Sequence, residues 1–395
     1  MTMERNDAAN LIVLAAGGTG GHMFPADALA KELLDQGYRP ALISDKRGSA
    51  YGGTLAGIES YAVSAKGLAG RGIIGRVKGL FALAIGFFQA RKLLSALEPA
   101  AVVGFGGYAS FPTVAAALYL GIPTVIHEQN AVLGRANRLV ANRVDRVCTS
   151  FDLTRPAPKE AKLVRTGLPV RSAIADVRNT AYVAPVAGEP IRILILGGSQ
   201  GARIFSDVIP EAIRRLPEDL KQRITFSQQC RPEELDRTHA AYDEVGAHVQ
   251  LRAFFDNVPD LLRETHLLIA RSGASTVAEV SVAGRPSLLV PYPHATDNHQ
   301  TANAKALAAA GGCWHVQQSA ASPDALAKRL TELLADPKAM TQTATAAAAF
   351  AIPDAASRLA NVITTLIRDE TSARAAKRAP APPPISTEPM KRGAI

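Results

Sequence analysis

The chain repeats itself. Twice, an apolar run of strand length meets a glycine-rich loop and then a helical pattern. Leu11–Ala16 leads into Gly17-Gly18-Thr19-Gly20-Gly21-His22, and Ile191–Leu196 leads into Gly197-Gly198-Ser199-Gln200-Gly201. A second echo lies deeper in each half: Thr113-Val114-Ala115 runs to Gly121-x-Pro123, and Thr276-Val277-Ala278 runs to Gly284-x-Pro286 in the same register. Strand, glycine loop and helix in succession are the grammar of a doubly wound α/β sheet. Meeting that grammar twice predicts two nucleotide-binding-type, Rossmann-like domains. At 395 residues the chain has room for them.

The pattern sets the expected boundaries. Strands are predicted at Leu11–Ala16, Pro40–Ser44, Ala101–Gly104, Thr124–Ile126, Val144–Thr149 and Lys162–Val164, with helices at Pro25–Gln36 and Thr113–Leu120. This first domain covers 1–170. A linker, 171–190, follows. The second domain, 191–352, has strands at Ile191–Leu196, Ile224–Ser227, Val249–Arg252, Leu267–Ala270 and Ser287–Val290. A helix at Thr276–Ala283 lies between the last two, and a loop dense in amides and imidazoles follows them. A last helix occupies 353–368. The tail 369–395 is Ala, Pro, Lys, Arg and Ser without an apolar face and is expected to be disordered.

The net charge of +9 favours acidic partners: nucleic acid, anionic lipid or a phosphorylated substrate. Cys148, Cys230 and Cys313 lack disulfide or metal spacing, which fits a reducing compartment. Leu11–Ala16 is too short for a signal segment, and Leu80–Phe88 falls far below the roughly 20 residues a bilayer needs. No span is therefore expected.

The loops carry the chemistry. Neither matches G-x-G-x-x-G, because Met23 stands at the third glycine position, and neither has a Walker lysine. Backbone N–H groups at the start of a helix can still meet a phosphate, and Ser199–Ala202 and Ser272–Ala274 are placed to stabilise a leaving diphosphate. Asp45, at the end of the second strand, would suit a dinucleotide ribose and keeps a nicotinamide oxidoreductase open as an alternative. His22 ends the first loop, near the start of a helix, where the positive end keeps an imidazole neutral as a base requires; a local capping role stands beside that reading. His127-Glu128-Gln129-Asn130 and Asp297-Asn298-His299-Gln300 follow matching strands, and such groups read sugar hydroxyls well. His294, Asp297 and His299 are an alternative metal set, but no Asp-x-Asp pair occurs, so no metal is expected to be required. Glu279 interrupts an apolar helix. It either faces water or grips a ribose diol. Its counterpart in the first half is Ala116, which favours one nucleotide site, in the second half.

Lys66–Leu94 sets Arg71, Arg76, Lys78, Arg91 and Lys92 among Ile73, Ile74, Leu80, Phe81 and Phe88. A basic, bulky apolar stretch suits contact with an anionic membrane surface; a core helix with a solvated basic face is the other reading. No nucleic-acid module is present.

Together these residues resemble a known family. GGTGGHMFPADALA at 17–30, GFGGYASFP at 104–112, HEQNAVLGRANR at 127–138, TGLPVR at 166–171, GGSQGA at 197–202, RSGASTVAE at 271–279 and PHATDNHQTANA at 293–304 match, in order, the undecaprenyl-diphospho-muramoylpentapeptide β-N-acetylglucosaminyltransferases, the MurG family within glycosyltransferase family 28. The resemblance implies a GT-B fold. It implies inverting transfer of N-acetylglucosamine from UDP-N-acetylglucosamine to the C4 hydroxyl of lipid I, giving lipid II in peptidoglycan synthesis. A silent UDP-sugar sensor is the runner-up. By the resemblance, Glu279 takes the ribose, the backbone at Phe255 the uracil, and Ser199, Ser272, Gly273 and Ala274 the diphosphate. His299 and Gln300 hold the sugar, which Asn130 reaches from across the cleft. Thr19, Gly20, Gly21 and Arg171 complete the donor set. Gly18, Gly106 and Gly107 face the acceptor diphosphate, and His22 is the candidate base. The implied place is the cytoplasmic face of the bacterial inner membrane, peripherally bound, with other cell-wall synthesis and division proteins as partners.

Overall fold

The computed structural model describes residues 10–17, 20–45, 52–65, 73–153, 158, 162–198 and 202–378. Elements are labelled in chain order, single-turn helices aside. The first half holds β1 (Leu11–Ala15), α1 (Gly20–Asp35), β2 (Arg39–Ser44), β3 (Ser60–Ala62), α2 (Ile73–Leu97), β4 (Ala101–Gly104), α3 (Gly107–Leu120), β5 (Thr124–Glu128), α4 (Arg135–Val140), β6 (Arg146–Thr149) and β7 (Leu163–Arg165). The second holds β8 (Ile191–Leu196), α5 (Arg203–Arg214), β9 (Ile224–Gln229), α6 (Leu235–Glu244), β10 (His248–Arg252), α7 (Val258–Glu264), β11 (Leu267–Ala270), α8 (Ala274–Ala283), β12 (Ser287–Leu289), α9 (His299–Ala309) and β13 (Trp314–His315). Helices α10 (Pro323–Leu334), α11 (Pro337–Phe350) and α12 (Ala355–Arg378) close the chain.

Two parallel sheets result, in the orders β3-β2-β1-β4-β5-β6-β7 and β10-β9-β8-β11-β12-β13. Each order reverses direction once, between β1 and β4 and between β8 and β11. A ligand crevice opens at such a switch point, beyond the carboxyl ends of the strands. The register sharpens this. Ala15 pairs with Gly104 and Leu196 with Ala270, so the loops after each pair leave their sheet side by side. The architecture is the α/β, two-domain GT-B arrangement that the resemblance implies.

The internal echo has a structural cause. Gly121 and Gly284 both adopt the left-handed conformation, at φ 68° and 62°. In both, the next residue's N–H bonds back into the helix, Ile122 to Ala117 at 3.0 Å and Arg285 to Val280 at 3.2 Å. This is the same glycine helix stop used twice.

Burial assigns the cores. Met23, Ala26, Leu29 and Leu33 of α1 pack with Leu359, Ala360, Ile363 and Leu366 of α12, so the last helix returns to the first sheet. Each large apolar side chain buried there contributes roughly 1.5–3 kcal/mol. Leu168, Ile174 and Val177 pack against Val277 and Val280 of α8, so this part of the connecting segment is core rather than loose tether.

Several elements differ from expectation. Helices α1 and α3 begin at Gly20 and Gly107, earlier than Pro25 and Thr113 suggest, and Pro25 and Pro112 each lie five residues past the helix start. His299 and Gln300, expected at the end of a loop, open helix α9, and residues 301–309, to which the sequence pattern assigns no element, continue it. Residues 369–378, expected to be disordered, continue α12 as helix; residues 379–395 lie outside the described set. The apolar stretch around Leu80–Phe88 belongs to a 25-residue helix whose Val77–Leu97 portion has mean hydropathy 1.4. By length and composition that portion could cross a bilayer, contrary to the shorter run read from sequence. Its inner face is committed elsewhere: Ala90 and Leu94 are buried against Val13, Ile43 and Val102.

Candidate active site

A cavity of about 240 Å³ opens between the two halves. His22, Gly106, Gly107, Gln129, Asn130 and Asn137 line it from the first half; Thr296, Asp297 and His299 close it from the second. Five expected site residues therefore meet: His22, Gly106, Gly107, Asn130 and His299.

His22 lies near the start of α1 beside the β4–α3 loop. Its Nδ1 lies 3.2 Å from Gln129 Oε1. Its Nε2 faces Gly107, where a Cβ would come within 3.2 Å of it. Gly107 has φ +70°, so both the backbone and the approach to the ring call for glycine. Burial lowers the His22 pKa from the ordinary imidazole value, and nearby His299 adds to this; Glu128, Gln129 and the Phe105 carbonyl oppose it. His22 is thereby held toward the neutral form that accepts a proton.

Glu128 builds the loop beneath. Its buried carboxylate accepts from the N–H of Asn130 at 3.0 Å and of Gly134 at 2.8 Å, and from Asn137 Nδ2 at 2.9 Å. A buried carboxylate needs such donors. They fold residues 128–137 around it, and a Cβ at Gly134 would approach Glu128 Oε2 to 3.3 Å.

Asn303 joins the halves. Fully buried on α9, it accepts from Ala131 N–H at 2.8 Å and donates to Asn130 Oδ1 and the Ser272 carbonyl, both at 3.1 Å. At the rim, Asp297 pairs with Arg135 at 3.1 Å and Arg138 at 3.3 Å. These guanidiniums hold its carboxyl below the usual range. Asp297 is thus engaged by cations. Among the described residues no group of three or more His, Cys, Asp or Glu side chains is placed to hold a metal ion.

Of the expected donor residues, Ser272, Gly273, Ala274 and Glu279 lie on or beside α8, outside the lining of this cavity. Gly273 caps the helix, and the N–H groups of Ala274, Ser275 and Thr276 precede its first internal bond, Val277 N–H to Gly273 C=O at 3.0 Å. Ser272 is buried, and its hydroxyl donates to the Gln300 carbonyl at 2.9 Å. Gln300 Oε1 accepts from Tyr292 N–H at 2.9 Å. His299 Nδ1 donates to the Thr296 carbonyl at 2.7 Å, leaving Nε2 as an acceptor. Phe255 is buried. Glu279 is not on a wet face: burial raises its pKa, and Arg171, donating at 3.2 Å, pulls it back down. Gly20 and Gly21 form the first residues of α1. Gly18, Thr19, Ser199 and Arg71 lie outside the described residues.

On α2, Phe81 and Phe88 are 68% and 62% exposed, with Val77 and Leu80 beside them. Arg91 lies over the Tyr119 ring, 5.0 Å from its centroid. The side chains of Ile73, Ile74 and Arg76 are not among those described.

Sequence reading singled out neither Asn137 nor Asn303. The available signal was an asparagine one helical turn after Gln300, in a stretch with no apolar period.

Both halves of the chain match a known family. Residues 12–149 match the glycosyltransferase family 28 N-terminal domain and 192–359 the family's C-terminal domain. The chain is 55% identical, over 92% of its length and 98% of the relative's, to the UDP-N-acetylglucosamine–N-acetylmuramyl-(pentapeptide) pyrophosphoryl-undecaprenol N-acetylglucosamine transferase of Paramagnetospirillum magneticum. It is 52% identical to the enzyme of that name from Rhodospirillum centenum, over 89% of this chain and 93% of that one. The crystal structure of MurG from Acinetobacter baumannii superposes with a TM-score of 0.72 at 32% identity, covering 90% of this chain and 99% of that one. A nicotinamide oxidoreductase is set aside by these matches. The chain belongs to glycosyltransferase family 28, among its N-acetylglucosaminyltransferases of bacterial cell-wall synthesis.

Proposed function

We propose that this chain transfers N-acetylglucosamine from UDP-N-acetylglucosamine to the C4 hydroxyl of the muramoyl sugar of lipid I, with inversion, giving lipid II. The observation that carries the reading is His22 Nε2, which faces the interdomain cavity over Gly107. The acceptor hydroxyl loses its proton to Nε2 as its oxygen attacks C1 of the donor sugar. The C1–O bond to the diphosphate breaks on the opposite face, and UDP leaves with that electron pair. The free N–H groups at the start of α8 stabilise the leaving charge, so no metal is needed. Glu279 takes the ribose hydroxyls. Asn130, His299 and Gln300 position the sugar.

The acceptor is a membrane lipid, and the exposed α2 face supports peripheral docking on the cytoplasmic leaflet. Incubation with labelled UDP-N-acetylglucosamine and a lipid I analogue tests the reading. Label in a disaccharide lipid, dependent on both substrates, supports it. Donor binding without any transfer would leave the silent UDP-sugar sensor instead.

A further inference from the structure

The hydrogen bonds behind His22 form a directed chain. Gln129 is buried, and its Nε2 faces two carbonyls, Phe105 O at 2.8 Å and His127 O at 3.2 Å. Carbonyls only accept, so this end of the amide is the NH2 group and Oε1 is the end turned to His22. An amide oxygen also only accepts, so the His22 nitrogen facing it, Nδ1, must carry the proton. The second histidine agrees. His127, fully buried, donates from Nε2 to the Gly167 carbonyl at 2.8 Å, which leaves its Nδ1 to accept from Gln129 Nε2 at 3.4 Å. Every donor thus points one way, from His22 through Gln129 and His127 to Gly167. Gly167 itself lies where the halves meet: with φ +81°, a Cβ there would come within 2.7 Å of Ile352.

We infer that Gln129 is a positioning residue that fixes the His22 tautomer, keeping the proton on Nδ1 and the lone pair of Nε2 open to the cavity. The inference rests on His22 acting as the base. Histidine in water favours the proton on Nε2, which here would cap the lone pair the reaction uses. A buried amide locked by two carbonyls reverses that preference without adding charge. The charged or titratable groups facing His22 are Glu128, His127 and His299. None of them contacts Nδ1 as Gln129 does.

The test is nitrogen NMR on the full chain with ¹⁵N-histidine, His22 being assigned by its loss in His22→Ala. Above its pKa, wild-type His22 should show a protonated Nδ1 and a bare Nε2. Gln129→Met should move the proton largely to Nε2. It should lower kcat roughly ten- to a hundredfold, within what loss of a base costs, with the donor KM unchanged. Gln129 raises the His22 pKa, so its removal should also move the acid limb of kcat/KM to lower pH. A purely structural role would lower activity and leave the limb in place. A proton on Nε2 in the wild type overturns the inference whether or not the variant folds, as does an unchanged tautomer in Gln129→Met. Wild-type kcat in His22→Ala would instead remove the base reading, and the tautomer is read independently of it.

Discussion

Arg171, in the segment joining the two sheets, donates to Glu279 of α8 at 3.2 Å while its guanidinium lies over Phe24 of α1, 5.3 Å from the ring centroid. Phe24 stands two residues from His22. The carboxylate assigned to the ribose and the helix carrying the candidate base thus share one cation.

Glu279→Ala should weaken UDP and UDP-N-acetylglucosamine alike, because the ribose is common to both. A lost charge-assisted hydrogen bond costs about 1.5–3 kcal/mol, roughly ten- to a hundredfold in affinity. Calorimetry with UDP checks this, and an unchanged affinity removes the ribose role.

Arg171→Met should make nucleotide binding more sensitive to acid. Burial already raises the Glu279 pKa and Arg171 opposes it, so without the guanidinium the carboxyl protonates at higher pH. The pH at which UDP affinity falls away should move upward. A titration superimposable on wild type would show that the pair does not govern the carboxylate.

His22→Ala should lower kcat by roughly 10²–10⁴, the usual worth of a general base, with UDP affinity intact. In the wild type, burial lowers the His22 pKa from 6.5. The acid limb of kcat/KM should therefore fall below that value, since activity requires the neutral ring.

How much of this was legible in the chain follows from where side chains point. Strands such as Leu11–Ala15, wholly buried, show up as unbroken apolar runs, and Gly121 and Gly284 mark their helix ends because their backbone demands glycine. Helix α9 was hidden because its buried face carries Thr301 and Asn303 beside Ala304 and Leu307. An asparagine satisfied by three partners is core in space and polar in sequence. Glu279 was legible as an intruder in an apolar helix, and the structure resolves it as a partly buried, paired carboxylate. Arg171 was legible only through the TGLPVR motif at 166–171, and its pairing was not, because its partners Phe24 and Glu279 lie far away in the chain.

Turnover should persist in EDTA, since backbone N–H groups at the start of α8 suffice for the leaving diphosphate. Complete loss, restored by magnesium or manganese, would reverse that.

Binding to anionic vesicles should weaken with salt, and neutral vesicles should bind little. Each cation near the surface contributes about 1 kcal/mol. Changing Arg76, Lys78, Arg91 and Lys92 together to Gln should cut co-sedimentation and spare turnover of a water-soluble acceptor. Normal co-sedimentation of that variant would place the membrane contact elsewhere.

The central claim is inverting transfer to the muramoyl C4 hydroxyl. Its most direct test is proton NMR of the product formed by the purified chain from UDP-N-acetylglucosamine and a short-chain lipid I analogue. A new β1→4 disaccharide, with UDP released in equal amount, is the predicted result. An α-linked product, or release of UDP with free N-acetylglucosamine and no disaccharide, would contradict it.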